Sequence, residues 1–269
     1  LGKKYRKQPV EPWAFIRVKN EIITIEACLN SILPVITKGV IGYNPSDDGT
    51  EEFIEDFCKK NPGFIPFKYD HEVLQPKDKR YLHLESVPIE QRLDTYYNAV
   101  FDKIPNGEWF IKIDCDHIYD TKKLSKLMYL PANDNDVICL PYLNFHYEKR
   151  REGKFLALLK QIPLKQHRDH WILKKTEELK FIIKHNPDYK NKGDDIAWEW
   201  LSGYQNHNLM DTNVICWHFP FLKSYRRIFP EIISVQEYIS MMNSRDKYLI
   251  PRDMLSEQKI LNEVKKFRL

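Results

Sequence analysis

Glycine is scarce in this chain, nine in 269 residues. No glycine- or serine-rich linker divides it, and no internal repeat is visible. One large domain, or one domain with a tail, is therefore expected. No apolar run is long enough to cross a bilayer, and no stretch has the pattern of a secretory leader. The five cysteines (Cys28, Cys58, Cys115, Cys139, Cys216) are odd in number, widely spaced and include no CxxC pair. That argues against a disulfide framework and a zinc module. It fits small buried thiols in a reducing cytoplasm. The middle of the chain also lacks a positive excess. The net charge of +4 comes from the ends: four positive charges in residues 1–8, and ten basic against six acidic groups in 222–269. The remainder is net acidic, so no central nucleic-acid groove is expected. Basic ends suit either plain solvation or an anionic membrane face.

What the chain does have is alternation. With 42% hydrophobic residues it can bury a full core. "WAFIRVKNE" (13–21) reads as a strand entering the helix "IITIEACLNSILPVI", and "KGVIGYN" (38–44) as a second strand. In "PSDDGT", Asp48 or Thr50 can cap the helix "EEFIEDFCKK". "GFIPFKY" (63–69) is a third strand weakened by Pro66, and the polar residues 70–86 read as a mobile loop. "PIEQRLDTYYNAVFDKI" is a helix with proline in its first turn. Repeats of strand and helix every 25 to 30 residues predict an α/β fold with a largely parallel sheet. In such sheets ligands bind beyond the carboxyl ends of the strands. The polar clusters "RVKNE", "YNPSDDG" and "DCDHIYD" all fall at such ends.

The last cluster follows an apolar strand, "EWFIKIDCDHIYD" (108–120). Asp114 and Asp116 are two apart, and on an extended chain they face one side. Two facing carboxylates call for a cation, and hard oxygen ligands suit Mg²⁺ or Mn²⁺ on a diphosphate. Among 19 aspartates one such pair arises by chance, and Asp134 with Asp136 is a second. That pair precedes a strand in a turn-forming cluster and reads as an ordinary loop. Farther on, "KGDDIAWEWLSGY" (192–204) puts paired acids at an expected helix start. There they either cap the helix or supply a general base. "ICWHFPFLKSYRR" (215–227) ends an apolar run with His218, Lys223, Arg226 and Arg227: either a histidine and cations suited to a metal and a departing diphosphate, or a histidine simply packed beside aromatics. "HRDH" (167–170) has no third histidine at zinc spacing and reads as acceptor-side surface or plain structure.

Taken together, "PWAFIRVKNE", "LNSILPVITKGVIGYN", "DGTEE", "WFIKIDCDHIYDTKKL" and "HFPFLKSYR" resemble the bacterial β-1,4-N-acetylgalactosaminyltransferases of Campylobacter-type lipooligosaccharide synthesis. These are nucleotide-sugar glycosyltransferases of the GT-A type. The similarity runs from about residue 12 to 145 and returns at 214–227. The resemblance implies a Rossmann-like sheet with a nucleotide-sugar half (about 12–145) and an acceptor half (about 146–230). A basic extension (1–11) would precede it and a helical basic tail (231–269) would follow. It implies inverting, Mn²⁺- or Mg²⁺-dependent transfer from a UDP-sugar to a glycan or glycolipid acceptor. N-acetylgalactosamine is the expected donor sugar, with galactose as the alternative.

By that resemblance Asp114 and Asp116 are the metal-binding pair, with His117 beside them and His218 completing the site. Asn44 would meet the uracil. Arg17, Asn20 and Glu21 would lie near the nucleotide and Asn98 near the donor, and Lys223 and Arg226 would steady the diphosphate. The acids at 194–195 match an acidic block of the wider superfamily. Asp195 is the first choice of base, Asp194 the second and Asp169 the third.

Two other classes compete. A nucleotidyltransferase needs a glycine- and basic-rich phosphate loop after the first strand, which "RVKNEIIT" lacks. A non-catalytic glycan-binding module would show neither turnover nor a metal effect. In the tail, Ile260, Leu261, Val264 and Phe267 form one helical stripe flanked by Lys259, Lys265, Lys266 and Arg268. Docking on the core is the first expectation. Peripheral contact with the inner face of a bacterial inner membrane is the alternative.

Overall fold

The computed structural model describes residues 6–151, 153–166, 169–186, 195–223 and 230–269. The strands, in chain order, are β1 (Trp13–Val18), β2 (Lys38–Tyr43), β3 (Phe64–Lys68), β4 (Trp109–Ile113), β5 (His117–Tyr119), β6 (Asp136–Cys139), β7 (Tyr142–Arg150), β8 (Gly153–Leu159), β9 (Leu164–Lys165), β10 (Trp171–Lys174), β11 (Lys180–His185), β12 (Ala197–Ser202), β13 (Asn208–Asp211), β14 (Cys216–His218) and β15 (Ile232–Ile233). The α-helices are α1 (Ile25–Ile32), α2 (Thr50–Lys60), α3 (Leu93–Phe101), α4 (Thr121–Leu127), α5 (Val235–Met241), α6 (Ser244–Leu249) and α7 (Glu257–Val264).

The α/β architecture expected from the alternation is present. The central sheet runs β13-β6-β10-β4-β1-β2-β3. Strands β1 to β4 are mutually parallel, so their carboxyl ends share one rim. Both faces of this sheet are covered, which is why β1, β2 and β4 read as continuous apolar runs. Gly42 is required on β2: a Cβ there would lie 2.2 Å from Val100 Cγ2 of α3. A second sheet, β15-β8-β7-β14-β5, closes over the same rim.

One strand breaks the parallel pattern. β10 enters between β4 and β6, antiparallel to both. Its amino end therefore lies at the carboxyl end of β4, and the residues preceding it reach the ligand rim.

Three local expectations are corrected. Residues 197–202 form a strand instead of a helix. Trp198, Glu199 and Trp200 pair with Lys184, Ile183 and Ile182 across a hairpin, where aromatic side chains pack better than on a helix. Residues 70–86 are anchored, not a free loop: Val73, Leu74 and Tyr81 are buried, and the Tyr81 hydroxyl accepts from the Leu93 amide at 3.0 Å. The helix expected from Pro88 is interrupted at Arg92, which is extended and whose guanidinium binds the Val87 carbonyl at 2.9 Å.

The carboxyl-terminal segment folds back on the domain. Ile260, Val264 and Phe267 are buried and Leu261 packs against the same core. The Trp217 indole donates to the Met254 carbonyl at 2.8 Å. The apolar stripe of α7 is thus used inside the protein. No helix among the described residues is long and apolar enough to cross a membrane. All five cysteines are buried and unbridged.

Candidate active site

A cleft of about 420 Å³ opens at the carboxyl ends of β1, β2 and β4. Asp114 and Asp116 sit in it on a turn, not on an extended chain: the His117 amide donates to the Asp114 carbonyl at 3.1 Å. The turn passes the chain from β4 in one sheet to β5 in the other. It sends the two carboxylates to either side of His117. Asp120, the third acid of the cluster, lies outside the cleft. It caps α4 through the Lys123 amide at 2.9 Å.

Register places the histidines. β14 pairs β5 with His218 opposite His117, and pairs β7 with His218 opposite Asn144. The His117 ring stacks on that of His218 with centroids 4.2 Å apart. On its other flank His170, carried in ahead of β10, lies at 4.3 Å. Two overlapping groups result, Asp114–His117–His170 and Asp116–His117–His218, each with ligand atoms close enough to hold a metal ion.

Orientation is fixed from behind. Asn144 Nδ2 donates to the Ile162 carbonyl at 2.8 Å, which turns its oxygen toward His218 Nδ1 at 2.6 Å. His218 Nδ1 must then donate, and Nε2 faces Asp116 Oδ2 at 3.2 Å. Such outer hydrogen bonds set the tautomer of a metal-binding histidine. His117 Nε2 and both His170 ring nitrogens are buried without a hydrogen-bond partner among the described residues. His170 Nε2 lies 3.1 Å from Asp114 Oδ2, off the line of a hydrogen bond. Orphaned lone pairs beside carboxylates are what a cation site requires.

Cations already surround both aspartates. Arg17 pairs with Asp114 Oδ1 and Lys112 lies 3.4 Å from Oδ2. Lys223 bridges Asp116 at 2.9 Å and Glu21 at 2.8 Å. Burial pushes Asp114 up, but Lys112, Arg17 and His170 outweigh it and hold the carboxyl well below its usual range. Asp116 is held low in the same way by Lys223 and His218. Burial, with His218 and His170 adding repulsion, lowers His117 to about 3. It is therefore neutral and able to ligate. Burial raises Glu21 to about 7 against the pull of Lys223. Arg17 lies over the rings of Phe15 and Tyr97 at 4.6 and 4.1 Å. Its Nε and Nη1 have no partner among the described residues, leaving donors for an anionic ligand.

Of the residues singled out in the sequence, Arg17, Glu21, Asn44, Asp114, Asp116, Asp169, Asp195, His218 and Lys223 line this cleft. Asn44 is buried and donates to the His71 carbonyl at 3.1 Å. Asn20 and Asn98 are not brought to it. Asn20, at φ 53°, accepts from the Asp47 amide at 3.1 Å, and Asn98 pairs twice with the backbone of Phe181 at 2.8 and 2.9 Å. Asp194 and Arg226 lie outside the described residues. Asp134 lies in the turn before β6, as expected, and Asp136, the first residue of that strand, accepts from the amides of Ala132 and Asn133.

Sequence reasoning missed Lys112, Asn144 and Glu199, and it set aside His170. "HRDH" precedes a strand, so the rule that sites follow strands passes over it. Only the antiparallel insertion of β10 could have flagged it.

No curated protein sequence gives a significant match to the chain. Among solved structures, a glucosyl-3-phosphoglycerate synthase from Mycobacterium tuberculosis, in complex with Mn²⁺, UDP and phosphoglyceric acid, is similar at 16% identity and a TM-score of 0.31. The match covers 51% of this chain and 43% of that one. The sequence profile of one family spans residues 2–268, nearly the entire length. The chain belongs to the β-1,4-N-acetylgalactosaminyltransferase (CgtA) family.

Proposed function

We propose that the protein transfers N-acetylgalactosamine from UDP-N-acetylgalactosamine to a hydroxyl of a bacterial surface glycan, with metal dependence and inversion at C1. The observation that carries the metal dependence is the pair of carboxylate–histidine groups around His117. The family's description supports the sugar and linkage. Galactose as donor remains the alternative that local changes around the cleft would produce.

In this reading Asp114, Asp116, His117, His170 and His218 offer the donors for the ion. A set mixing imidazole with carboxylate suits Mn²⁺ better than Mg²⁺, which takes oxygen. Such an ion supplies Lewis-acid neutralisation of the charge building on the departing diphosphate. The chain's own residues do the rest. Arg17 offers two unpaired donors to the nucleotide or diphosphate. Lys223, held between Glu21 and Asp116, offers positive charge to arriving phosphate oxygens, and Arg226, outside the described residues, is the second candidate cation. Asn144 keeps His218 in its ligating tautomer.

The test is UDP release from UDP-N-acetylgalactosamine, UDP-galactose and UDP-glucose with Mn²⁺, by the wild type and by Asp116→Asn. The expected result is turnover of the N-acetylgalactosamine donor, falling roughly 100-fold or more in the variant with the circular dichroism spectrum unchanged. Full activity in Asp116→Asn contradicts the metal assignment.

A further inference from the structure

Next to the metal-facing cleft lies a second cavity of about 410 Å³, with Trp171, Phe181, Trp198, Trp200 and Tyr204 among its lining residues. Five residues line both spaces: Lys112, Lys165, Asp169, Trp198 and Glu199. The two cavities thus meet along one wall, and a ligand in each would touch at that wall.

Their chemistry differs. The first is rich in charge. The second is largely aromatic, and Tyr204 lies near-parallel to Trp200 at 25° with centroids 6.4 Å apart. Flat indole and phenol faces bind the C–H face of a pyranose, while polar groups at the rim read its hydroxyls. Among the described residues, the only basic ones lining it, Lys112 and Lys165, lie on the shared wall, so a diphosphate has no cation to pair with beyond that wall.

Three acids reach the wall or its mouth. Asp169 is tied to Lys112 at 2.8 Å. That ion pair already occupies its carboxylate. Asp195 is exposed at the mouth of the first cleft and does not line the second. Glu199 stands on β12 between two tryptophans and lines both. It is faced by Arg17 from β1, Tyr97 from α3, Lys112 from β4 and Asp169 ahead of β10. Burial first, and Asp169 second, lift its carboxyl against the pull of Lys112 and Arg17. A raised carboxyl accepts a proton at neutral pH better than an ordinary one.

We propose that the aromatic cavity is the acceptor subsite, holding a pyranose against its aromatic lining with the nucleophilic hydroxyl toward Glu199, and that Glu199 is the catalytic base. The inference rests on the proposed donor reaction. In the step, the acceptor oxygen forms a bond to C1 of the donor sugar and its proton passes to the Glu199 carboxylate. The bond from C1 to the phosphate oxygen breaks, and its electron pair leaves with UDP.

The experiment compares the wild type with Glu199→Gln, Asp195→Asn and Trp200→Ala. Calorimetry of UDP with Mn²⁺ reads the donor site. UDP release from UDP-N-acetylgalactosamine with a panel of p-nitrophenyl β-glycosides (galactoside, glucoside, N-acetylglucosaminide) reads the acceptor site. UDP affinity stays within twofold in all three variants. Glu199→Gln loses about 10²- to 10⁴-fold in kcat and the acidic limb of the kcat/KM profile. Asp195→Asn, whatever its kcat, keeps the acidic limb. Trp200→Ala raises the glycoside KM roughly five- to tenfold at unchanged donor KM.

A Glu199→Gln enzyme with wild-type kcat and pH profile overturns the base. An unchanged glycoside KM in Trp200→Ala, or a panel of which the wild type uses no member, overturns the pyranose subsite. Loss of UDP binding in the wild type itself overturns the donor reading and this one with it. Intact UDP binding beside unaffected variants overturns this inference alone.

Discussion

At the scale of single residues, the site is a balance of buried charge. Two aspartates that would repel are held ionised by Arg17, Lys112 and Lys223, while a buried histidine between them is held neutral. That neutrality has a pH signature. His117 sits at about 3 in the folded protein against about 6.5 when unfolded. Between those values the unfolded chain binds the extra proton, so the contribution is present above pH 6.5 and is lost as pH falls. In metal-free protein the stability of the wild type relative to His117→Asn should fall by roughly 2 kcal/mol from pH 7 to 5. Taking the difference between the two proteins cancels Glu21, whose raised value acts in the opposite sense. Chemical denaturation of both at each pH checks it, and parallel curves would show that His117 titrates normally.

Much of the carboxylate–histidine cluster in the cleft was legible at this scale. Asp114, Asp116 and His218 each follow an apolar run on a rim that alternation alone predicts. His170 was not, because nothing local tells that its strand runs backwards. Asn20 and Asn98 look polar and well placed, yet their amides are used in hydrogen bonds to backbone groups. Sequence position does not reveal which backbone groups lack partners.

At the scale of elements, β2 and α3 are in direct contact at Gly42. A methyl there would lie 2.2 Å from Val100 Cγ2 and 2.9 Å from Cγ1. Gly42→Ala should destabilise the protein by about 1–3 kcal/mol in urea unfolding, and adding Val100→Ala should recover part of the loss. An undiminished midpoint in Gly42→Ala would mean that the helix is held farther from the sheet. The four parallel strands were readable because each is a short apolar run closed by polar residues. The strand Ala197–Ser202 was misread because its paired acids resemble a helix cap. The alternation Trp198-Glu199-Trp200 carried the opposite message, and the hairpin partner Lys180–His185 decides it. The error matters, since the same strand carries the proposed base.

At the scale of the whole molecule, the carboxyl-terminal residues complete the core. Ile260 has no exposed surface, and Phe267 packs edge-on against Phe219 with centroids 5.1 Å apart. Ile260→Ala should cost about 2–5 kcal/mol, read as a lowered denaturation midpoint, whereas a helix serving a membrane would lose nothing in solution. Of the two fates the sequence allowed for this helix, core docking uses the apolar stripe, while Glu257, Gln258, Asn262, Lys265, Lys266 and Arg268 are exposed. Sedimentation with anionic vesicles should accordingly depend on salt and not on the apolar residues of α7.

On the proposed reading, this rim binds a nucleoside diphosphate through a metal held by Asp114, Asp116 and the three histidines. Calorimetric titration of UDP into the full chain, with Mn²⁺ and then with EDTA, tests it most directly. Saturable binding that needs Mn²⁺ is the expected result. UDP affinity equal in EDTA and in Mn²⁺, or no binding in either, would contradict it.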